Sequence, residues 1–234
     1  MFTERCVEHF PSLGAKISGG WKISSEKNMK PFYERYWVGL REVGALDHVF
    51  KLPVLEQLLP RDTKGSILDF GCGNGEVLRA VRNLNPRAKL TGVDISSEAI
   101  RQAKTKIGDV RYYKVPDGKN LPLTSSSIDF ILSFDVIEHV YDTELAFSEF
   151  SRVLKPGGKI LISTPYHGFI KNIIIAAFLF DTIYDPLGPH IRFFTKKSLC
   201  ACLSRVGLVP LKVGYFGRFF PINNAMYVLA MKEK

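Results

Sequence analysis

Short apolar runs alternate with amphipathic stretches along the middle of the chain, between residues 66 and 164. The apolar runs are rich in Ile, Val, Leu and Phe, which is typical of strands buried on both faces of a parallel sheet. The amphipathic stretches carry apolar residues at helical spacing. The pattern therefore predicts βαβ units and an α/β fold. The predicted strands are residues 66–70, 89–93, 110–115, 128–133 and 159–164, and the helices between them are residues 75–83, 97–107 and 143–154.

The two ends of the chain follow other patterns. Residues 1–60 are predicted to form an N-terminal helical cap, and residues 61–234 the main domain. After residue 165 comes a strongly apolar stretch and then a loop, which together predict a lid insert over about residues 166–192. A helix over 196–205 and strands over 208–215 and 225–231 complete the prediction.

A glycine-rich turn, Asp69-Phe-Gly-Cys-Gly-Asn-Gly75, joins the first predicted strand to the next helix. Glycines permit a sharp turn and let a ligand approach the backbone, while the helix offers unpaired N–H groups at its start. The spacing of Gly71, Gly73 and Gly75 differs from that of dinucleotide sites and P-loops, and the carboxylate of Asp69 would repel a pyrophosphate. The turn therefore favours a nucleoside that carries an amino group.

The second predicted strand ends at Asp94. An acidic residue about 20 residues beyond such a turn is placed to accept hydrogen bonds from ribose hydroxyls. A glycine-rich turn alone also occurs in simple loops, so the offset to Asp94 is the observation that favours a ligand site.

Several motifs, in this order, resemble those of class I S-adenosylmethionine-dependent methyltransferases, and most closely those of the ubiquinone-biosynthesis O-methyltransferases. They are Leu68-Asp-Phe-Gly-Cys-Gly-Asn-Gly75, Gly92-Val-Asp-Ile-Ser96, Asn120-Leu-Pro-Leu123, Phe134-Asp-Val-Ile-Glu-His-Val140 and Arg152-Val-Leu-Lys-Pro-Gly-Gly-Lys-Ile160. The resemblance implies S-adenosyl-L-methionine as cofactor. It also implies a Rossmann-like, doubly wound α/β fold with a seven-stranded, mostly parallel sheet, helices on both faces and an antiparallel last strand.

The same resemblance implies a set of cofactor contacts. Asp69 and Gly71 would contact the methionine part, Asp94 the ribose, and Ile95 the adenine ring. Asp117 matches the acidic position that contacts the adenine amino group, although the residues around it depart from the commoner pattern. The implied cofactor-binding residues are Asp69, Gly71, Cys72, Gly73, Gly75, Asp94, Ile95, Asp117, Gly118, Ser133 and Phe134.

Candidate catalytic residues lie after the fourth strand and near the end of the insert. Methyl transfer from a sulfonium is an in-line displacement, in which the protein aligns the nucleophile and excludes water. His139 has a pKa suited to removing a proton, and His190 is an alternative base or substrate anchor. A packing role is the competing interpretation for each. Glu138 and His139 match a cation-binding pair of some quinol O-methyltransferases, but one such pair is not a metal site by itself, so we predict no metal.

The aromatic residues near the N-terminus have two interpretations. Tyr33, Tyr36 and Trp37 would close over the cofactor, with Arg35 reaching its carboxylate, or their helix would simply pack on the sheet.

The stretch from Phe169 to Phe180 contains ten apolar residues in twelve. Because a transmembrane helix needs about 20 residues, this stretch is too short to span a bilayer. Apolar residues surround the helix on all sides, which predicts either complete burial or contact with an apolar partner. The formal net charge is +9, and residues 165–234 carry +6 of it. An apolar helix beside basic charge is typical of peripheral membrane contact.

These features leave alternatives open for the methyl acceptor. The preferred one is a small or lipid-like acceptor with peripheral membrane contact through residues 169–180, and the other is a small polar substrate under an ordinary lid. RNA or protein methylation and a non-catalytic cofactor-binding protein are further alternatives. No RNA-binding motif and no Asn/Asp-Pro-Pro-Tyr/Phe signature are present, which argues against nucleic acid. The sequence does not predict an oligomeric state.

The four cysteines, Cys6, Cys72, Cys200 and Cys202, lack the spacing of metal or redox pairs. We therefore expect reduced thiols in a cytoplasmic protein, either free or peripheral at a membrane.

Overall fold

The computed structural model describes residues 30–39, 48–184, 189–217 and 223–233. Within these ranges, seven strands form one sheet that is flanked by helices. The strands are β1 (Ser66–Phe70), β2 (Lys89–Asp94), β3 (Arg111–Lys114), β4 (Ile128–Phe134), β5 (Leu154–Pro165), β6 (Leu208–Phe216) and β7 (Ala225–Lys232). The helices are α1 (Lys30–Gly39), α2 (His48–Leu58), α3 (Glu76–Leu84), α4 (Ser97–Lys106), α5 (Thr143–Val153), α6 (Phe169–Ile174), α7 (Phe180–Ile183) and α8 (Lys196–Arg205).

The strand order is β3-β2-β1-β4-β5-β7-β6. Strands β1 to β5 are parallel, and β7 runs antiparallel to both β5 and β6. This arrangement confirms the predicted Rossmann-like, doubly wound fold with an antiparallel last strand. The order reverses between β1 and β4, and the crevice outside the carboxyl ends of the strands at such a point is where open α/β sheets bind ligands.

Each face of the sheet buries an apolar cluster against helices. Phe150 of α5 and Leu199 of α8 are completely buried on one face. Leu55 of α2 and Leu78 of α3 are buried on the other face. The continuous apolar runs of the central strands arise because both faces are covered. The sheet is therefore a rigid base for the loops at its carboxyl edge.

One predicted strand boundary was wrong. The strand predicted over residues 159–164 begins at Leu154, so Pro156-Gly-Gly158, which is typical of a turn between a helix and a strand, lies inside β5. Gly157 has a φ of +77°, and the pairing of β4 with β5 shifts register between Ile128 and Phe130. The two glycines thus form an irregularity within a continuous strand, where positive φ is easily adopted.

The insert after β5 is helical. Helix α6 leads into a π-helical turn, Ile175–Leu179, and then into the short α7. Of the two predicted environments, complete burial is not found, because Ile175 is the one apolar side chain between residues 169 and 180 that is buried. No helix in the described part of the chain is long and apolar enough to span a membrane.

Candidate cofactor and acceptor site

The glycine-rich turn lies between β1 and α3, as the sequence predicts. Gly71, Gly73 and Gly75 have φ values of +75°, +51° and +84°. A Cβ atom on Gly71 would overlap the methyl groups of Val136, and a Cβ atom on Gly73 would lie 2.7 Å from the Trp37 ring. The turn therefore requires glycine for both its backbone conformation and its close contacts.

Asp94 connects this turn to the end of β2. The backbone N–H of Gly73 donates to its Oδ2 at 2.9 Å, and the N–H of Ser96 donates to its Oδ1 at 2.8 Å. Each carboxylate oxygen retains acceptor capacity for a hydroxyl of a ribose. Burial raises the pKa of Asp94 to about 6, although the hydrogen bonds from Ser96 and Gly73 oppose the shift.

Asp69 is buried at the carboxyl end of β1, and one of its carboxylate oxygens lacks a hydrogen-bond partner among the described residues. It is 2% exposed, and no described residue donates a hydrogen bond to its Oδ2. Burial, reinforced by the charge of Asp94 and opposed by Lys51, raises the pKa of Asp69 to about 7. An ammonium group bound here would supply the missing donor and stabilise the charged carboxylate. The pair of acids thus fits a nucleoside that carries an amino-acid chain.

Helix α1 is attached to this cradle by Glu34. Its carboxylate accepts hydrogen bonds from the backbone N–H groups of Ser97 and Glu98, at 2.9 and 3.0 Å, and from the Ser96 hydroxyl at 2.8 Å. These groups lie at the start of α4, where helix N–H groups are otherwise unpaired. Burial alone would raise the pKa of Glu34, but these hydrogen bonds outweigh it and lower the pKa to about 2.

The aromatic side chains of α1 divide between the cradle and the solvent. Trp37 lies against Gly73, and the ring centroid of Tyr33 lies 5.7 Å from that of His139. Tyr36 is 44% exposed, and Arg35 is exposed. The structure therefore brings Tyr33 and Trp37 to the predicted site, while Tyr36 and Arg35 are on the outer side of the helix.

A buried ion pair connects α2 to the loop after β4. Lys51 Nζ lies 2.7 Å from Asp135 Oδ2, and the lysine side chain is 10% exposed. Asp135 has a φ of +53°, which is strained for a residue with a side chain. The hydroxyl of Ser163 donates to its Oδ1 at 2.7 Å. The ion pair and the hydroxyl together hold this strained residue beside the predicted catalytic histidine.

The two predicted catalytic histidines lie together. Their ring centroids are 4.8 Å apart, because the N–H groups of Ile191 and Arg192 both donate to the carbonyl of Glu138. Nδ1 of His139 is 2.9 Å from the carbonyl oxygen of Pro189. Since a carbonyl only accepts, this contact assigns the proton to Nδ1 and leaves the lone pair on Nε2. Burial lowers the pKa of His139 to about 4, so the ring is neutral at physiological pH.

Glu138 completes this cluster. It is 1% exposed, neither of its carboxylate oxygens has a hydrogen-bond partner among the described residues, and Oε1 lies 3.9 Å from His139 Nε2. Burial and the nearby charge of Asp135 raise its pKa well above the usual value. One ligand atom from each of Glu138, His139 and His190 lies within 4.8 Å of the others. The sequence did not reveal that His190 joins the Glu138–His139 pair as a third donor. The cluster has the residue types to hold a cation or to move a proton.

The other predicted cofactor residues occupy different environments. Ile95 is half-buried beside Asp94. Asp117 accepts from the N–H of Gly118 at 2.9 Å and from the N–H of Tyr141 at 2.8 Å. It therefore connects the loop after β3 to the loop after β4.

Three further residues are buried at the ends of β1 and β4. Ser133 is completely buried without a partner for its hydroxyl among the described residues. Phe134 and Cys72 belong to the apolar cluster that faces α2 and α3. Because the thiol of Cys72 packs close to Gly92, a contact of Cys72 with the cofactor would come from its backbone.

Comparison with known proteins agrees with this geometry. Residues 68–162 match the family model described as a methyltransferase domain. A probable S-adenosylmethionine-dependent methyltransferase of Mycolicibacterium smegmatis is 32% identical over 174 residues, which are 74% of this chain and 60% of that protein. The matches support an S-adenosylmethionine-dependent methyltransferase domain over residues 68–162, and the chain spans about three fifths of the length of the Mycolicibacterium relative. The domain family and its fold imply S-adenosyl-L-methionine as cosubstrate.

Further relatives of the methyltransferase domain cover less of the sequence or share only its fold. A ubiquinone/menaquinone biosynthesis C-methyltransferase of Syntrophotalea carbinolica is 35% identical over 102 residues, which are 42% of this chain and 43% of that protein. The protein solved with the Haloferax volcanii Trm112 methyltransferase activator superposes with a TM-score of 0.69 at 15% identity, over 90% of this chain and 100% of that one.

Sequence reasoning missed two residues of the site, Glu34 and Lys51. Glu34 lies among the aromatic residues of α1, and Lys51 interrupts the apolar positions of α2. A lone lysine on an apolar helix was the available signal for Lys51. Glu34 had no local signal, because its partners are more than 60 residues away in the sequence.

Proposed function

We propose that the protein transfers a methyl group from S-adenosyl-L-methionine to an oxygen of a small or lipophilic acceptor. The observation that carries the proposal is the buried carboxylate of Asp69, whose Oδ2 has no hydrogen-bond partner among the described residues, beside Asp94 at the point where the strand order reverses. Once bound, the cofactor supplies an electrophilic methyl group on a sulfonium. The residues assigned to it are those implied by the motifs, with Asp69 on the amino group and Asp94 on the ribose.

His139 is the proposed base. Its Nδ1–H is engaged by Pro189, so the Nε2 lone pair is available to an acceptor hydroxyl. When the acceptor oxygen takes the methyl group from the sulfonium, which would become a neutral thioether, Nε2 of His139 would receive the hydroxyl proton. The low pKa of His139 makes it a weak base, but the hydroxyl becomes strongly acidic as its oxygen bonds to the methyl carbon. His190, in contact with the His139 ring, is proposed to anchor the acceptor.

The aromatic side chains near this cluster support a lipophilic acceptor. Tyr33 packs against His139 on one side. Phe193, three residues after His190, lies 5.1 Å from the His167 ring and 5.3 Å from the Tyr184 ring, measured between centroids. An aromatic acceptor site beside an apolar insert favours a lipophilic molecule over a sugar or a nucleotide. Such an acceptor would be drawn from a membrane, with the insert as the proposed peripheral contact.

The test is a methyl-transfer assay with radiolabelled S-adenosyl-L-methionine and separate pools of quinols, extracted lipids and RNA. We expect label in the quinol or lipid pool, as an O-methyl group by mass spectrometry. The variant His139→Ala should bind the cofactor normally and lose roughly 10²- to 10⁴-fold in turnover, which is the usual contribution of a positioned base. Label that appears only in RNA, or on carbon, would contradict the proposed acceptor.

A chelator distinguishes the two roles of the histidine cluster. If His139 acts as a base without a metal, EDTA should leave turnover unchanged. Loss of activity with EDTA, restored by a divalent cation, would instead assign Glu138, His139 and His190 as metal ligands.

A further inference from the structure

The insert after β5 exposes a continuous set of large apolar side chains. Phe169 and Phe178 are 80% and 81% exposed, so both rings project away from the protein. The other exposed members are Ile170, Ile173, Ile174, Leu179, Phe180 and Ile183. We call these eight side chains the apolar face. Contiguous apolar surface of this kind usually marks a binding site, because soluble monomers rarely expose it.

Packing against the rest of the described molecule does not account for the apolar face. Ile175 is the single buried side chain between residues 169 and 180. It lies at the start of the π-helical turn, a feature that is rare and frequently found at functional sites. Within residues 169–180, the apolar packing of the insert thus rests on one isoleucine, and the remaining apolar side chains are exposed.

Basic charge lies beside the apolar face. Phe193, which is 51% exposed, packs against Tyr184 and joins the insert to the start of α8. Lys196 and Lys197 follow in the first turn of that helix, and both are exposed. The insert itself contains Lys171, Asp181, Asp185 and Arg192, so its formal charges cancel. Lys196 and Lys197 are therefore the basic charge that favours an anionic partner for the apolar face.

We propose that the apolar face inserts into the surface of an anionic lipid bilayer. Projecting phenylalanine rings suit the fluid boundary between head groups and acyl chains, whereas a protein partner would need a pocket for each ring. Lys196 and Lys197 would lie at the level of the anionic head groups. His190 is three residues from Phe193, so the contact would bring the bilayer next to the proposed acceptor site. Vesicle binding requires neither cofactor nor acceptor and is independent of the proposed methyl transfer.

The test is flotation of the purified protein with two kinds of vesicle, one of phosphatidylcholine alone and one that also contains phosphatidylglycerol. We expect the protein to float with the anionic vesicles and to be released by added salt. Phe178→Asp should lower the bound fraction at least about tenfold, because a charge replaces a ring in the interface. Since Phe178 is exposed, this variant should keep its thermal stability and its affinity for S-adenosylhomocysteine.

Two further variants separate the electrostatic contribution to vesicle binding from the apolar contribution. Lys196→Glu with Lys197→Glu should weaken binding to anionic vesicles and leave the weak binding to neutral vesicles unchanged. Val209→Asp is the matched control, because Val209 is exposed near the start of β6, at the opposite edge of the sheet. It should float like the wild type.

Failure of the wild-type protein to float with either vesicle would overturn the membrane contact. Equal flotation of Phe178→Asp and the wild type would do so as well. If the wild type instead forms oligomers that Phe178→Asp dissociates, the apolar face joins copies of this chain and the membrane contact is wrong.

Discussion

Two regions at the carboxyl edge of the sheet depart from the usual distribution of side chains, in opposite directions. The cofactor cradle buries carboxylates, with Asp69 and Asp94 at 2% and 9% exposure. The insert exposes apolar side chains, with Phe169 and Phe178 about four-fifths exposed. Both arrangements are unfavourable for an isolated protein, since burial of charge and exposure of apolar surface each cost free energy. Both become favourable once a suitable partner is bound.

The two regions are built differently. The cradle is held by short backbone hydrogen bonds, positive-φ glycines and the Glu34 contact between α1 and α4. The insert is attached mainly through Ile175 and Lys171, whose Nζ donates to the carbonyls of Asn223 and Asn224 at 3.0 and 3.3 Å. The cofactor cradle is therefore the more firmly held of the two regions, and the insert is attached at fewer points.

Among the variants that test the cofactor cradle, Asp94→Ala is expected to have the largest effect. It removes the carboxylate that is assigned to both ribose hydroxyls, so affinity for S-adenosylhomocysteine should fall roughly 100-fold, or about 3 kcal/mol. Isothermal titration measures the change. Asp109→Ala is the control, since the Asp109 side chain is fully exposed, and it should bind normally. Unchanged affinity in Asp94→Ala would remove the ribose assignment.

Lys51→Met tests how much the buried ion pair between Lys51 and Asp135 contributes to the stability of the protein. It leaves Asp135 without its cation in a largely buried position, so the free energy of unfolding should fall by about 2 kcal/mol. Lys155 and Asp129 form an ion pair of the same 2.7 Å length, but both side chains are more than 40% exposed. Lys155→Met should therefore cost less than about 1 kcal/mol. Equal losses in urea denaturation would show that burial of the Lys51 pair has no special effect.

Gly73→Ala tests the contact between the turn and α1. Its Cβ atom meets the Trp37 ring at a positive φ, and the combined strain should cost about 1–2 kcal/mol in stability or cofactor affinity. Gly207 has a φ of +75°, and a Cβ atom added there would have no other atom within 4 Å, so Gly207→Ala reports the backbone strain alone. The rest of the loss is due to the overlap of the new Cβ atom with the Trp37 ring. Trp37→Ala combined with Gly73→Ala should therefore recover that part, as a double-mutant cycle would show.

The last prediction is a pH dependence of cofactor binding. The ammonium and hydroxyl groups of the cofactor favour the charged forms of Asp69 and Asp94, so binding lowers both pKa values and releases protons. Affinity should therefore be complete above the free-state pKa values of about 7 and about 6 and fall as the pH drops through them. The loss should not exceed about tenfold per pH unit for each proton. Calorimetry in buffers of different ionisation enthalpy would detect the released protons, and a flat profile would contradict the assignment.

Local sequence patterns predicted most of the fold. The βαβ alternation predicted strands β1 to β5, and the sequence after the insert predicted the helix over 196–205. Thr195 caps that helix, with its hydroxyl accepting from the N–H of Ser198 at 3.2 Å. The Pro-Gly-Gly sequence was misinterpreted because its conformation depends on pairing with β4, which no local pattern shows.

The residues of the site also divide into those that local sequence patterns predicted and those that only the structure brings together. The glycine turn and Asp94 are separated by about one βαβ step, so the spacing rule applied to them. His190 lies next to His139 because the N–H groups of the two residues that follow it, Ile191 and Arg192, donate to the carbonyl of Glu138. Glu34 and Lys51 likewise join the site through contacts between distant segments. The exposure of the insert also required the structure, since the sequence allowed both burial and contact with a partner.

Calorimetric titration of the folded protein with S-adenosyl-L-methionine and with S-adenosylhomocysteine tests the central assignment most directly. The buried acids at the ends of β1 and β2 predict saturable binding of both compounds, with one molecule per chain. Absence of binding by a protein whose thermal unfolding is cooperative would contradict the account.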